Sequence, residues 1–105
     1  MPDYAVVEEK IGRIEAEMKR IGIWQEKPIE PERLECKQAF CMDTMSFSQW
    51  LQFILLPRVK GIIAEKGQFP SGSMVAVQAT REFDGFYEAS DLIGLLYEFD
   101  RLFGG

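Results

Sequence analysis

The sequence predicts an all-α fold, with about four helices packed as a compact bundle around a kinked central helix. Apolar residues recur every three or four positions in the first and last segments, and the apolar middle of the chain begins with a helix-capping pattern. No series of alternating strands is present from which a sheet could form. At 105 residues the chain can form one core but not two, so we expect a single domain spanning residues 1–105.

The first helix is expected between Tyr4 and Gly22. Asp3 can accept a hydrogen bond from its first turn, and Gly22 can end it. This helix should pack against the central one, because the repeat is too short for a coiled coil. Its apolar stripe consists of Tyr4, Val7, Ile11, Ile14, Met18 and Ile21.

The central helix should begin at Ser46. Ser46 and Gln49 have the spacing of a capping box, and Met45 and Trp50 have that of a hydrophobic staple. In a regular helix, Phe53 and Leu56 fall outside the broad apolar face, and the far side carries the polar residues Gln49, Gln52 and Lys60. The apolar face itself carries Phe47, Trp50, Leu51, Ile54, Leu55 and Ile62.

Pro57 and Arg58 interrupt this pattern. Pro57 lacks an amide hydrogen and presses on the preceding turn, so we expect a kink or interruption near it. Without a kink, Arg58 would point into the apolar face, where a guanidinium needs a partner. Two interpretations stay open: a structural charge paired with Asp43 or with carbonyls freed by the proline, or a contact residue for an anion or another protein.

The remaining segments are a long connection and two more helices. The connection, residues 23–40, should contain one short turn at Pro31 to Cys36 and be held over the core by Trp24, Ile29, Leu34 and Phe40. A third helix is expected from Met74 after a cap at Ser73, with Val75, Ala79 and Phe83 on one side. The last helix should start at Phe86 or Ala89 and end at Phe103, with its apolar face formed by Leu92, Leu95, Leu96, Phe99, Leu102 and Phe103.

Composition excludes several classes of function. Seventeen acidic residues against twelve basic ones give a net charge of −5, which argues against direct binding to nucleic acid or to an anionic membrane but leaves a local basic patch open. The longest apolar run is too short to span a bilayer, and the N-terminus does not resemble a secretory signal. We therefore expect a cytoplasmic protein.

The chain also lacks the usual catalytic groups. It has no histidine and no glycine-rich phosphate loop. Its two cysteines, Cys36 and Cys41, are too few to close a zinc site without carboxylate ligands, and they lack the spacing of a redox pair. In a reducing cytoplasm the two thiols should be free. We expect no catalytic residue, metal or cofactor, and we interpret Asp43 as a helix-capping residue or the partner of Arg58.

The middle of the chain resembles a known family. Phe40-Cys41-Met42-Asp43-Thr44-Met45, followed by Trp50-Leu51-Gln52 and Leu56-Pro57-Arg58, is similar to the signature of the YqcC-like family of small bacterial proteins. This resemblance covers almost the whole chain and implies a helical fold, a Gram-negative source and no established biochemical activity. Members are often encoded beside a tRNA pseudouridine synthase of the C type, which makes that enzyme a possible partner. A synthase activity in this chain is not expected, because the sequence provides neither a sheet nor a basic surface.

Three hypotheses about function follow. The first is a non-catalytic interaction or accessory module that binds a protein, such as the synthase, through Trp50, Phe53 and Arg58. The second is a small-molecule or anion-binding module that uses Arg58 and the helix N-terminus at Thr44–Phe47. The third, an enzyme using Asp43 and Arg58, is the least supported. The candidate contact residues are Met42, Asp43, Thr44, Trp50, Phe53 and Arg58.

Overall fold

The computed structural model describes residues 2–104. Its α-helices are α1 (Tyr4–Arg20), α2 (Phe47–Trp50), α3 (Leu56–Glu65), α4 (Val75–Glu82) and α5 (Ser90–Leu102). A π-helical turn at Leu51–Leu55 joins α2 to α3, so these three elements form one continuous central helix. Short 3-10 turns lie at Pro31–Leu34, Ala39–Cys41 and Tyr87–Ala89, and no strand is present within residues 2–104. The predicted all-α fold with four helices is confirmed.

The first helix forms as its apolar period predicts. The Asp3 carboxylate accepts a hydrogen bond from the Ala5 amide at 2.8 Å, and Gly22 follows the helix with a left-handed backbone, φ +81°. The helix packs against α5 and α3. Its buried residues are Val7, Ile11, Ile14 and Met18.

The central helix begins with the predicted capping box. The Gln49 amide donates to Ser46 Oγ at 3.1 Å, and the Ser46 amide donates to Gln49 Oε1 at 3.0 Å. Met45 and Trp50, the predicted staple pair, are both buried. The expected disturbance near Pro57 is the π-helical turn, in which the Leu56 amide donates to the carbonyl of Leu51, five residues back. This wider turn accommodates the proline, which a regular helix cannot do.

Because of the π-helical turn, the residues after it lie on different sides of the helix from those predicted. One extra residue in the turn rotates everything after it by roughly 100° relative to a regular helix. Leu56, expected outside the apolar face, is therefore buried at 1% exposure, whereas Phe53 is half-buried. Arg58 moves out of the apolar face and is exposed, so it is not the buried structural charge that a straight helix would require.

Gln52 was predicted on the polar side of the central helix. It is instead buried and binds the long connection. Gln52 Oε1 accepts from the Gln25 amide at 2.8 Å, and Gln52 Nε2 donates to the Gln25 carbonyl at 2.6 Å. Gln49 adds a hydrogen bond of 3.0 Å to the Gln25 side chain. The side-chain amide of Gln52 thus pairs with the backbone N–H and C=O of one residue that lies outside any helix or strand, which satisfies all of these groups.

The apolar residues of the connection have mixed fates. Trp24, Ile29 and Phe40 are half-buried and pack against the core, as expected. The Lys19 ammonium lies over the Trp24 ring, 5.1 Å from its centroid. Leu34 is 50% exposed, so the prediction that it holds the connection over the core is wrong. The 3-10 turn at Pro31–Leu34 faces it outward.

The start of α4 is capped by a residue from another helix. Ser73 does not cap it; the N-cap position is Met74, whose side chain makes no capping bond. Instead the carboxylate of Asp100 in α5 accepts from the amides of Val75 at 3.2 Å and Ala76 at 2.8 Å, and from the Ser73 hydroxyl at 2.5 Å. The predicted apolar side of α4, Val75, Ala79 and Phe83, is buried as expected.

Candidate interaction site beside Arg58

The loop before the central helix is held by the polar residues of the Met-Asp-Thr-Met motif. The Asp43 carboxylate accepts from the amides of Lys37 at 3.0 Å and Gln38 at 3.4 Å. Thr44 donates from its hydroxyl to the Arg33 carbonyl at 2.6 Å. Asp43 is therefore bound to the backbone of its own loop. The predicted Asp43–Arg58 pairing is not present.

A disulfide between Cys36 and Cys41 closes the same loop, which corrects the expectation of two free thiols. Phe40 and Cys41 both have left-handed backbones, with φ of 57° and 52°, so the chain reverses sharply. The reversal brings the two Cα atoms to 5.0 Å, within the range that a disulfide spans. Our expectation rested on the assumed compartment and not on this local geometry.

Reducing the disulfide should destabilise the protein by about 2 kcal/mol, because it opens a six-residue ring and restores freedom to the unfolded chain. The measurement is urea unfolding with and without a dithiol reductant. A Cys36→Ser variant provides the control, since its stability should not respond to the reductant. Equal unfolding midpoints for oxidised and reduced wild-type protein would contradict this account.

The hydrogen bonds to Asp43 also shift the pKa of its carboxyl group. Donation from the Lys37 amide, with a smaller contribution from Gln38, lowers the pKa of Asp43 below its ordinary value. A lowered folded-state pKa contributes stability that is complete above the unfolded-state pKa, about 3.9, and is lost as pH falls through the folded value.

We therefore expect an NMR titration of the Asp43 carboxyl carbon to give a lower pKa in the folded protein than in urea. An Asp43→Asn variant should show a flatter loss of stability below about pH 4. An Asp43 pKa that is the same in the folded and unfolded chains would show that these hydrogen bonds do not persist in solution.

Arg58 lies at a mainly apolar cleft of about 210 Å³, which we call the Arg58 cleft. Phe40 and Trp50 form part of one wall, and their rings meet edge to face at 4.8 Å between centroids. Met74, which is 68% exposed, lines the cleft on the side of α4. Arg58 forms no ion pair with any carboxylate of residues 2–104. The cleft thus combines an apolar interior with one available positive charge.

The structure brings together only part of the predicted contact set. Trp50 and Arg58 both line the cleft, although Trp50 is itself 8% exposed and belongs to the core. Met42, Asp43, Thr44 and Phe53 do not line it. Met74 was not among the predicted contacts, although a large apolar residue directly after the polar Ser71-Gly72-Ser73 turn was a signal for it.

Three of the four amides at Thr44–Phe47 already donate to groups of this chain, which leaves few donors for an anion site with Arg58. The amides of Thr44 and Met45 both donate to the Cys41 carbonyl at 3.0 Å, and the Ser46 amide donates to Gln49. Arg58 also lies eleven residues beyond Phe47, roughly 16 Å along a helix. The geometry therefore does not favour the anion-binding hypothesis in its predicted form.

The described residues show neither a cluster of metal ligands nor a membrane-spanning helix. No three cysteine, aspartate or glutamate side chains among the described residues come together as a possible metal site. Within the same part of the chain, no helix combines the length and apolar character needed to cross a membrane.

The chain is similar to one solved structure and to bacterial proteins of known sequence. The solution NMR structure of protein YqcC from Escherichia coli superimposes with a TM-score of 0.86 at 25% sequence identity, over 98% of this chain and 89% of that one. An uncharacterised protein from Haemophilus influenzae is 23% identical over 88% of this chain and 87% of its own length. YqcC of E. coli is 30% identical over 64% of this chain and 62% of its own length.

A longer protein contains a similar segment. The tRNA pseudouridine synthase C of Pectobacterium carotovorum is 30% identical over 61% of this chain, but the match covers only 17% of the synthase. A family model described as tRNA pseudouridine synthase C matches residues 6–102. Together with the YqcC structure, this match over nearly the whole chain shows that the protein belongs to the YqcC-like family.

Proposed function

We propose that the protein is a non-catalytic accessory module that binds tRNA pseudouridine synthase C through the Arg58 cleft. The observation that carries the proposal is the contrast between Arg58 and the other polar residues of the shared motifs. Asp43, Thr44 and Gln52 all bind backbone groups of this chain. Arg58 borders an apolar cleft and pairs with no described carboxylate. In this proposal, a partner protein binds the Arg58 guanidinium, which has no ion-pair partner within the described chain.

The choice of partner is supported by the P. carotovorum synthase. A segment similar to this chain occurs within that longer protein, while most of the synthase lies outside the match. Segments joined in one chain are held at high effective concentration, which favours their association. We infer that the separate module and the synthase meet in a similar way. In this proposal, the description "tRNA pseudouridine synthase C" of the family model names the protein that this module binds, not the activity of the module.

A non-catalytic role agrees with the chemistry of the Arg58 cleft. Its walls are mostly apolar, and its one charged group is a guanidinium, which offers hydrogen-bond donors but no acceptor. Asp43, the other residue considered for catalysis, lies outside the cleft and binds loop amides. The site is suited to recognition, since arginine and aromatic residues dominate protein interfaces.

The test is a binding measurement with the synthase from the same organism. We expect ribonuclease-treated samples of the two proteins to co-elute in size-exclusion chromatography, with a light-scattering mass equal to the sum of the two chains. An Arg58→Ala variant should bind about tenfold more weakly. Arg13→Ala, which removes an exposed arginine of α1, is the matched control and should leave affinity unchanged.

The non-catalytic part of the proposal is tested by an assay of pseudouridine formation. The module alone should form no pseudouridine in a tRNA substrate, whereas adding it to the synthase should change the rate or the tRNA affinity of the enzyme. Absence of any complex at micromolar concentrations, with both proteins folded, would overturn the proposed function. Pseudouridine formation by the module alone would overturn its non-catalytic part.

A further inference from the structure

An exposed apolar surface continues from the Arg58 cleft along α4. Met74 and Val77 are 68% and 37% exposed, and with Arg81 they fall on one side of α4 at positions i, i+3 and i+7. The opposite side of this helix is buried against the core. The outward side therefore consists of large side chains that the fold does not cover.

Two neighbouring segments widen this surface. Met42, 49% exposed, reaches α4 from the motif loop, with its sulfur 3.6 Å from Gln78 Nε2. Tyr97, 42% exposed, reaches it from α5, with its hydroxyl 3.4 Å from the Thr80 hydroxyl. We define the α4 face as Met42, Met74, Val77 and Tyr97. Methionine adapts readily to a partner, and tyrosine is enriched at interfaces.

Two arginines border the α4 face, alongside the exposed carboxylates of Asp43, next to Met42, and of Glu82, in a chain that carries −5 overall. Arg58 lies at the Met74 end, and Arg81 lies on the same side of α4 as Met74 and Val77. Neither arginine forms an ion pair with a described carboxylate. The nearby Glu82 carboxylate is bound by Gln78 Nε2 at 3.2 Å. Two available guanidinium groups therefore border an apolar surface.

We propose that the α4 face and the Arg58 cleft together bind an acidic amphipathic segment of the partner. This inference rests on the proposed function and specifies the chemistry of the synthase surface involved. The segment places an apolar side chain in the cleft, lays further apolar side chains on the α4 face, and pairs carboxylates with Arg58 and Arg81. A cleft of about 210 Å³ is large enough for one aromatic side chain.

Charge complementarity favours this occupant over a second copy of the chain. In a two-fold symmetric dimer the same surface meets itself, which would place Arg58 and Arg81 of both copies in one interface. Four arginines in one interface repel one another, which disfavours such a dimer. A partner that supplies the carboxylates removes this cost.

The experiment measures the dissociation constant of the folded variants with the whole synthase at low and high salt. Arg81→Glu should weaken binding at least about tenfold at low salt and less at high salt, because salt screens exposed charge pairs. Met74→Ser should weaken binding by a similar factor at both salt concentrations, because it removes apolar contact without adding a charge. The matched control is Arg13→Glu, the same charge change on α1, which should stay within about twofold of wild type. Circular dichroism confirms that each variant is folded.

The outcomes separate this inference from the proposed function. If wild-type protein fails to bind the synthase, both are overturned. If wild-type protein binds and the Met74 and Arg81 variants bind equally well, the proposed function stands and the α4 face is not the docking surface. If the wild-type chain is a dimer that Val77→Glu converts to a monomer, the face is an interface between copies and the inference is overturned.

Discussion

Replacing Asp100 with asparagine is expected to lower the free energy of unfolding by about 3 kcal/mol. The carboxylate is 5% exposed and accepts three hydrogen bonds: from the amides of Val75 and Ala76 and from the hydroxyl of Ser73. Its charge also lies at the positive end of α4. Asparagine has a similar shape, but its amide group donates where the site needs an acceptor. One buried donor would then face another.

The loss should be visible as a fall in melting temperature on the order of 15 °C, since a domain of this size shifts by roughly 4–8 °C per kcal/mol. Asp84→Asn makes the same chemical change at an exposed position after α4 and should have an effect below about 0.5 kcal/mol. If the two variants melt together, Asp100 does not hold the start of α4. The variant should also weaken partner binding, because Met74 directly precedes α4.

Local patterns predicted the helices well. The capping box at Ser46, the cap at Asp3 and the apolar stripe of α1 depend on residues within one or two turns of each other, so their spacing is visible in the sequence. The family motif is also a local pattern, and the comparisons confirmed it.

Features that depend on distant parts of the chain were not predictable in the same way. Asp100 caps a helix that begins 25 residues earlier, and Gln52 pairs with the backbone of Gln25, 27 residues away. Their partners are backbone groups, which carry no sequence signal. The Cys36–Cys41 disulfide joins residues only five positions apart, but it depended on a left-handed turn at a phenylalanine, a residue that rarely adopts this backbone.

The candidate site was only partly predictable, because the backbone partners of its polar residues leave no sequence signal. Arg58 was identified because an arginine beside a proline in an apolar helix is unusual, and the structure leaves it available at the cleft. The polar residues of the loop were proposed as contacts, yet Asp43 and Thr44 bind the backbone of the 31–38 segment. The compartment stays a prediction; a disulfide is more typical of oxidising environments than of the cytoplasm expected from the sequence.

Two leucines provide a direct test of the helix register that the π-helical turn creates. Leu56→Ala is expected to lower the free energy of unfolding by about 3 kcal/mol, because the side chain is 1% exposed and its removal leaves a cavity. Leu34→Ala removes the same atoms from a side chain that is 50% exposed and should cost less than about 0.5 kcal/mol. A regular helix through Pro57 would place Leu56 off the apolar face, so its truncation would then cost about as little as that of Leu34. Urea unfolding of both variants decides between the two registers, and a Leu56→Ala variant as stable as Leu34→Ala would show that the turn at Leu51–Leu55 is not π-helical in solution.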